Sequence, residues 1–429
     1  MVNDVRALLR EAVATPPEDE TDLSAVLAGG RRRVRKRRGR VALGAGLALG
    51  LSATALVLVT AGGPDPDRVA EPRLPRPEGP VLTLRDADAA LLGRDYEVVA
   101  SSRNKDLESG NGQYYDGVTE DGLVLFRDAD GRNARQARLA LLDPVTGDRQ
   151  WLPQRDLGSA PRPLLLARDR LVFVAPAGPR WVDGPEAGLR AEVYDRRTRG
   201  WSTVSWPGLP ADVDVPSARV AFGGRIYVGV GTGGTTSRDL WSVALDDTAD
   251  VRDEGLRVGR FDLTSSTLVW TDGTQAPVER IHVRDLATGT ERSFDPRSGA
   301  RCNLLGLAAL EERIVLSQYC GTYGDLRDDR VQVLTSAGRT VTTVQGSSLE
   351  GFVADDDLAD NGHLVVVRSG NPDRAGSYVY DLSTARLLRA SEEVSSWLES
   401  AGPLPAGYVL FATPYGGSGA TQWLLRWRS

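Results

Sequence analysis

Residues 140–153 read ALLDPVTGDRQWLP. The apolar run ends at Leu142, Asp143 follows, and Thr146 and Gly147 precede a second extended stretch around Trp151. An aspartate at the end of a strand can accept hydrogen bonds from the amides of the turn that follows, and Thr-Gly suits a tight reversal into the next strand. The stretch therefore reads as strand, turn, strand. The same order of apolar residue, Asp, two variable positions and Thr returns as EVYDRRTRGWSTVS (192–205), HVRDLATGTERSF (282–294) and YVYDLSTARLLRA (378–390). Degenerate copies stand at 334–340, LTSAGRT, and at 244–250, ALDDTAD.

A second phrase recurs upstream of these. GLVLFRDA (122–129), RLVFVAPA (170–177), GRIYVGV (224–230), STLVWTD (266–272), ERIVLSQY (312–319), GHLVVVRS (362–369) and GYVLFATP (407–414) begin roughly 40 to 55 residues apart. A period of that size made only of strands predicts a β-propeller, in which each copy is a four-stranded blade that buries its faces against its neighbours. Seven blades are expected, beginning near residues 113, 163, 218, 256, 302, 349 and 396. The last copy has room for three strands before Ser429. DYEVVASS (95–102) has no blade of its own, so it is expected to complete the seventh by pairing with 422–428.

The stretch LLDPVTGDRQW resembles the repeats of quinoprotein-like and WD40-like propellers, which carry a similar Asp-x-x-Thr-Gly turn before an aromatic residue. The resemblance covers most of residues 113–429 and implies the blade, not a function. The Gly-His and Trp-Asp signatures of WD40 repeats are absent.

Ahead of the repeats, residues 41–63, VALGAGLALGLSATALVLVTAGG, carry no charge and follow the basic run RRRVRKRRGR (31–40). About twenty residues of helix span the roughly 30 Å hydrocarbon core of a bilayer, and positive flanks stay cytoplasmic. The expected fold class is therefore an all-β, seven-bladed propeller outside the cell membrane, preceded by a short α-helical cytoplasmic segment (1–40) and one transmembrane helix (41–63). Residues 64–93, opening with PDPDRVAEPRLPRPEGP, read as a Pro-rich spacer, and 94–429 as the extracytoplasmic domain. A signal peptide cleaved after Val59-Thr60-Ala61 is the competing reading of the apolar stretch. Either way the large domain lies outside.

Residues 1–40 hold ten basic and six acidic side chains, leaving 42 basic and 52 acidic beyond them. Such an outer domain is not a nucleic-acid binder by charge. In the cytoplasmic segment, helical spacing over 3–13 and 21–28 brings Leu8, Leu9, Val13, Leu23 and Leu27 into an apolar set that two short helices cannot bury alone. It is expected to bind a cytosolic protein, or else to serve only as a juxtamembrane leader.

Motifs for chemistry are sparse. Gly229–Gly234, GVGTGG, has the spacing of a dinucleotide loop but is followed by a strand rather than a helix, so a hairpin is expected. Asp128–Asn133, DADGRN, lacks the remaining carboxylates of a calcium loop and also reads as a hairpin. Asp355, Asp356, Asp357 and Asp360 read as a solvated loop, and His282 and His363 make no metal pair. No nucleophile elbow or phosphate-binding lysine loop occurs. No catalytic, cofactor or metal residues are assigned, and the chain is not expected to be an enzyme. Cys302 and Cys320 flank a hairpin whose turn is placed at Glu311-Glu312. Antiparallel pairing about it makes opposed residue numbers sum to about 623, and the cysteines sum to 622, which predicts a disulfide.

The layout of helical leader, arginine run, single span, proline spacer and large outer domain resembles actinobacterial membrane proteins encoded beside extracytoplasmic-function sigma factors. That resemblance implies a sensing propeller and a sigma factor held by residues 3–27. The His-x-x-x-Cys-x-x-Cys motif of zinc-type anti-sigma factors is absent, since no histidine or cysteine precedes residue 282. The alternative is a surface binding or scaffolding module with no signalling role. The ligand of the propeller is unassigned in either case.

Overall fold

The aspartate-led turns form by the chemistry their sequence predicts. Asp143 Oδ1 accepts from the amides of Val145 and Thr146 at 2.8 and 3.3 Å, Asp195 Oδ1 from Thr198 at 2.7 Å, and Asp285 Oδ1 from Ala287 and Thr288 at 3.0 and 2.8 Å. Asp381 Oδ1 does the same for Ser383 at 2.8 Å. In the degenerate copies Asp247 serves the amide of Ala249, and the Thr335 hydroxyl serves that of Arg339. The chain then leaves the turn through a left-handed residue. Glycine holds that place at Gly147, Gly289 and Gly338, but Arg199 and Ala385 hold it elsewhere, with φ of 58° and 54°.

The computed structural model describes residues 79–428 apart from 104–112, 129–137, 158–161, 177–187, 222–223, 232–236, 274–279, 297–301, 324–325, 347, 354–361, 372, 393–401 and 414–420. By compactness the chain divides into Met1–Glu71 and Pro72–Ser429, and the described residues all belong to the second unit. The expected helices of 3–28, the span 41–63 and the spacer up to residue 78 lie outside them. Among the described residues no helix is long and apolar enough to cross a membrane.

Three strands come first: β1 (Val81–Thr83), β2 (Asp88–Ala89) and β3 (Tyr96–Arg103). Blade 1 follows as β4 (Gln113–Val118), β5 (Val124–Asp128), β6 (Arg138–Leu142) and β7 (Arg149–Trp151). Blade 2 is β8 (Arg162–Leu166), β9 (Arg170–Pro176), β10 (Leu189–Asp195) and β11 (Gly200–Ser205). Blade 3 is β12 (Val213–Ala221), β13 (Arg225–Val230), β14 (Arg238–Ala244) and β15 (Val251–Val258). Blade 4 is β16 (Phe261–Leu263), β17 (Thr267–Thr271), β18 (Ile281–Asp285) and β19 (Glu291–Phe294). Blade 5 is β20 (Asn303–Leu310), β21 (Arg313–Tyr323), β22 (Leu326–Thr335) and β23 (Thr340–Gly346). Blade 6 is β24 (Leu349–Val353), β25 (Leu364–Ser369), β26 (Gly376–Asp381) and β27 (Arg386–Ser391). Blade 7 joins β28 (Tyr408–Thr413) and β29 (Thr421–Trp427) to β3.

This is a seven-bladed β-propeller. Strand alternation sends the two faces of each blade to different neighbours. On β13, Ile226 and Val228 join the cluster shared with blade 2, while Tyr227 joins that shared with blade 4. On β5, Val124 and Phe126 pack with Leu410 and Leu424 of blade 7, while Leu125 packs with Leu171 and Phe173 of blade 2. Every pair of successive blades has such a cluster, blade 7 with blade 1 included.

Ring closure is as expected: β3 pairs antiparallel with β29, from Tyr96 opposite Trp427 to Arg103 opposite Thr421. Blade 7 has three strands among the described residues, two rather than the expected three of them from the last copy, and two blade boundaries also differ from the sequence reading. Residues 251–258 are the outer strand of blade 3, paired with β14, and only Gly259 and Arg260 separate them from β16, so blade 4 begins at 261 rather than near 256. Blade 3 begins at 213 rather than 218, because β12 carries an irregularity between Asp214 and Arg219 that interrupts its alternation. Residues 79–93, assigned by sequence to the spacer, belong to the propeller. β1 adds in parallel to β23 of blade 5 and β2 to β27 of blade 6. Leu84 is buried in the cluster between those blades, a placement that proline content upstream concealed. The strap ends at Asp95, whose carboxylate accepts from Leu91 N and pairs with Arg94 and Arg386, and whose carbonyl accepts from Arg428 N.

Ala385→Gly and Arg199→Gly are expected each to stabilise the fold by about 1 kcal/mol, since a Cβ in the left-handed region is strained. Chemical denaturation of each single variant against wild type checks this. The turn amides also hold the Asp143, Asp195 and Asp285 carboxyls below the usual aspartate value. Their contribution is therefore complete at neutral pH and lost as pH falls through and below the ordinary carboxylate range. Asp285→Asn is expected to cost stability at pH 7, and that deficit should shrink in denaturation curves recorded toward pH 3.

Candidate axial binding face

In a four-stranded meander the first and third turns share one end of the blade, while the second turn and the passage to the next blade share the other. The first end is tight and laced between blades. Arg196 makes a two-pronged pair with Asp121, at 2.7 and 2.8 Å, and Arg170 meets Asp246 at 2.7 Å. The Glu311 carboxylate accepts from the Ser265 amide and the Ser266 hydroxyl. Most of the longer connections lie at the opposite end: 129–137, 177–188, 231–237 and 272–280 within blades, and 152–161, 206–212 and 295–302 between them, while 354–363 of blade 6 lies at the first end and 259–260, 324–325 and 347–348 are short connections at the opposite one. Loops of varied length on a rigid ring are where propellers have room for recognition, so this face is the candidate functional site.

The innermost strands that line the central channel, from the loop-bearing end to the tight one, are stitched to one another by polar groups. Tyr115 N of blade 1 donates to Gln422 Oε1 of blade 7 at 2.7 Å. Val118 N donates to Pro403 O at 3.1 Å. Arg219 of blade 3 pairs with Asp262 of blade 4 at 3.2 Å, and the other oxygen of Asp262 accepts from Ala309 N of blade 5 at 2.8 Å. Ser317 Oγ of blade 5 donates to Gly351 O and accepts from Gly351 N of blade 6, at 3.0 and 2.9 Å. Close approach makes glycine obligatory at Gly117 and Gly402, where an added Cβ would stand 2.5 Å from Leu166 Cδ1 and 2.6 Å from Pro163 Cβ respectively. In blade 1 Arg127 forks onto Asp116 at 2.6 and 3.0 Å and lies 4.7 Å over the Tyr114 ring. Burial acts to lower the Arg127 pKa, and the Asp116 charge and the hydrogen bonds to it together more than offset this, leaving the pKa raised. Burial pushes the Tyr115 phenol up to about 12, so it stays neutral at physiological pH.

Blades 4 and 5 meet across a buried polar patch at the same end. Arg330, 1% exposed, is bonded to Asp328 at 2.7 and 3.3 Å. Gln345 Nε2 donates to Asp328 Oδ1 at 2.9 Å, and Gln318 Nε2 reaches Pro296 O at 2.9 Å and Gln332 Oε1 at 2.5 Å.

Beside this patch Cys302 and Cys320 form the predicted disulfide, with Cα atoms 3.8 Å apart. The register explains the fit. From Leu310–Arg313 to Gly306–Ser317 opposed numbers sum to 623, then a bulge at Leu305 shifts the ladder, so that Leu304 faces Gln318 and Asn303 faces Tyr319. The offset of one residue read from sequence is thereby removed.

Of the other residues singled out by sequence, Leu8, Leu9, Val13, Leu23 and Leu27 lie outside the described residues. Gly229 and Val230 end β13 and the chain returns as β14, the expected hairpin. The Asp128 carboxylate is engaged by Arg138 and Gln113. His282 stacks on Trp270 with centroids 5.0 Å apart, and the His363 carbonyl accepts from Leu382 N. Among the described residues no group of three or more His, Cys, Asp or Glu side chains could hold a metal ion. Sequence reasoning missed the Arg127–Asp116 and Arg219–Asp262 pairs, because their partners sit on separate strands or blades. The only local hint was that charges interrupt otherwise apolar strands.

No known protein family and no curated protein matches this sequence. By structure the chain is similar to one from a structural and mechanistic study of two prolyl endopeptidases, with a TM-score of 0.46 at 13% identity over 79% of this chain and 48% of that one. It is also similar to TolB from Acinetobacter baumannii, with a TM-score of 0.30 at 12% identity over 55% of this chain and 57% of that one. Pyrococcus horikoshii acylaminoacyl peptidase gives a TM-score of 0.43 at 11% identity over 65% and 45%. The chain thus spans about half the length of these solved chains, and at such identity the likeness concerns the fold alone. The expectation that the chain is not an enzyme is corrected by this finding. Chains of enzymes stand among those similar to it.

Replacing Cys302 and Cys320 together with Ala is expected to lower stability by at most about 3 kcal/mol, the value for closing a loop of this size. Denaturation of the double variant under oxidising conditions, beside reduced wild type, measures it.

Proposed function

We propose that this chain is a single-pass membrane protein whose extracytoplasmic propeller binds a ligand at its loop-bearing face and acts as a sensor. The observation that carries the reading is the pairing of RRRVRKRRGR at 31–40 with the uncharged stretch 41–63, on one side of a large acidic domain. Positive residues flanking an apolar span hold the N-terminus in the cytoplasm. The sharing of long connections at one end of the blades supports ligand binding at that end. Residues 3–27, through Leu8, Leu9, Val13, Leu23 and Leu27, would hold a cytosolic protein such as a sigma factor and so relay occupancy of the propeller.

Two measurements test this in cells carrying the full chain with an N-terminal tag. Protease added outside intact cells is expected to digest the propeller and leave the tag; a propeller protected until lysis overturns the anchored reading. Affinity capture through the tag should recover a sigma factor from wild type, and the double replacement of Leu8 and Leu9 by Asp should abolish that recovery. Equal background from both overturns the regulatory role and leaves the propeller as a surface binding module.

A further inference from the structure

One place in the repeat carries arginine in four blades. Arg138, Arg190 and Arg280 stand five residues ahead of the turn aspartates Asp143, Asp195 and Asp285, and Arg330 stands five ahead of Thr335, which serves the turn in blade 5. Three of these guanidinium groups are satisfied. Arg138 Nη2 bonds Asp128 at 2.9 Å and its guanidinium lies 4.1 Å over the Trp151 ring. Arg280 donates to the Ser293 hydroxyl through Nε and Nη2 at 3.0 and 2.8 Å, and Arg330 bonds Asp328 at 2.7 Å. Arg190 differs. The carboxylate beside it, Glu192, places Oε1 3.7 Å from Nε, too far for a hydrogen bond, and Nε is buried without a hydrogen-bond partner.

Glu192 is already committed elsewhere. Leu189 and Ala191 pack toward blade 3 and Tyr194 toward blade 1, so alternation along β10 turns Arg190 and Glu192 toward blade 1. There Arg155, on the connection from β7 to β8, sets both Nε and Nη2 2.8 Å from Glu192 Oε2. The Thr203 hydroxyl donates to the same oxygen at 2.9 Å and accepts from Arg155 Nη2. Glu192 itself is 2% exposed. Arg190 is thus a second guanidinium beside a carboxylate that Arg155 and Thr203 hold. β10 begins at the loop-bearing end, and the side chains of Arg190 and Arg155 keep 25% and 35% of their surface open there. A guanidinium three-quarters removed from water with no hydrogen bond among the described residues is unfavourable, and an anion from solution supplies the acceptor that Glu192 does not.

We propose that Arg190, with Arg155 beside it, forms an oxyanion-binding site between blades 1 and 2, taking a carboxylate or phosphate group of the propeller's ligand. The planar fork of a guanidinium matches two oxygens of either anion, and Arg155, fixed by Glu192 and Thr203, requires little reordering on binding. The inference rests on the loop-bearing end being the binding face, and it adds the chemical class of ligand.

The test is thermal unfolding of the full-length chain, titrated at constant ionic strength with inorganic phosphate in one arm and succinate in the other. At least one anion should raise the wild-type midpoint saturably, and which one does identifies the preferred group. Arg190→Gln should weaken the apparent affinity about tenfold, the loss of a charge-assisted bond. Arg190→Lys, which keeps the charge without the fork, should fall between that variant and wild type. Glu192→Gln, which removes the neighbouring negative charge, should strengthen binding several-fold, a direction that misfolding cannot produce. Arg257→Gln, on the outer strand of blade 3, should leave it unchanged. Arg190→Met separates binding from folding: with no hydrogen bond to lose, it should keep or raise the midpoint in anion-free buffer while abolishing the response to anion. No response in wild type to either anion, or a response unaltered in Arg190→Gln, overturns the site. A lowered anion-free midpoint in Arg190→Met assigns the arginine to folding and overturns it as well. Protease accessibility of the propeller and capture through the tag are read independently, so failure here is distinguishable from failure of the anchored-sensor reading.

Discussion

A blade of four strands has two apolar faces and no means of covering either. This constraint governs the molecule. Tyr378 and Tyr380 of β26 are buried toward blade 5 while Val379, between them, is buried toward blade 7, so one strand supplies the core of two interfaces. Burial of that kind, at about 25 cal/mol per Å² of apolar surface, can be satisfied only when every blade has a neighbour on each side. Ring closure is therefore a requirement of the hydrophobic effect. The cluster that joins Phe126 and Tyr115 to Leu410 and Leu424 across the first and last blades meets it.

The closing strand also comes from the far end of the chain. β3 completes blade 7, and ahead of it the chain crosses the outer strands of blades 6 and 5. The added strands are short, but Leu84 is sunk between blades 5 and 6 and Asp95 is clasped by Arg94 and Arg386. Outer edges of propeller blades present unpaired backbone groups that invite association with other chains, and on these two blades the strap covers them. The same stretch that leads into the ring thereby helps to hold it shut.

Near the axis the chemistry changes. Innermost strands converge too closely for large side chains on every position, which is why glycine stands at 117 and 402, and the exposed strand edges need polar partners. Arginine supplies many of them. The fork of Arg127 on Asp116 and that of Arg330 on Asp328 each pair a buried or half-buried guanidinium with a carboxylate, as burial demands.

What the sequence determined by itself is local or periodic. Asp143, Asp195, Asp285 and Asp381 bond amides two or three residues ahead, so their turns were legible without the rest of the chain, and the repeat distance of the strand phrases set the number of blades. The cysteine pairing was legible to within one residue, because a hairpin's register follows from its turn. The bulge at Leu305 that brings the two cysteines into opposition was not. Only the tertiary structure decided which blade owns residues 251–258, where the strap lies, and which charges meet. Asp262 serves Arg219 and Ala309, 43 and 47 residues away, and Gln422 serves Tyr115 across 307. Such contacts depend on the angle at which one blade follows another, which arises from packing of whole faces and leaves no trace in the spacing of residues along the chain.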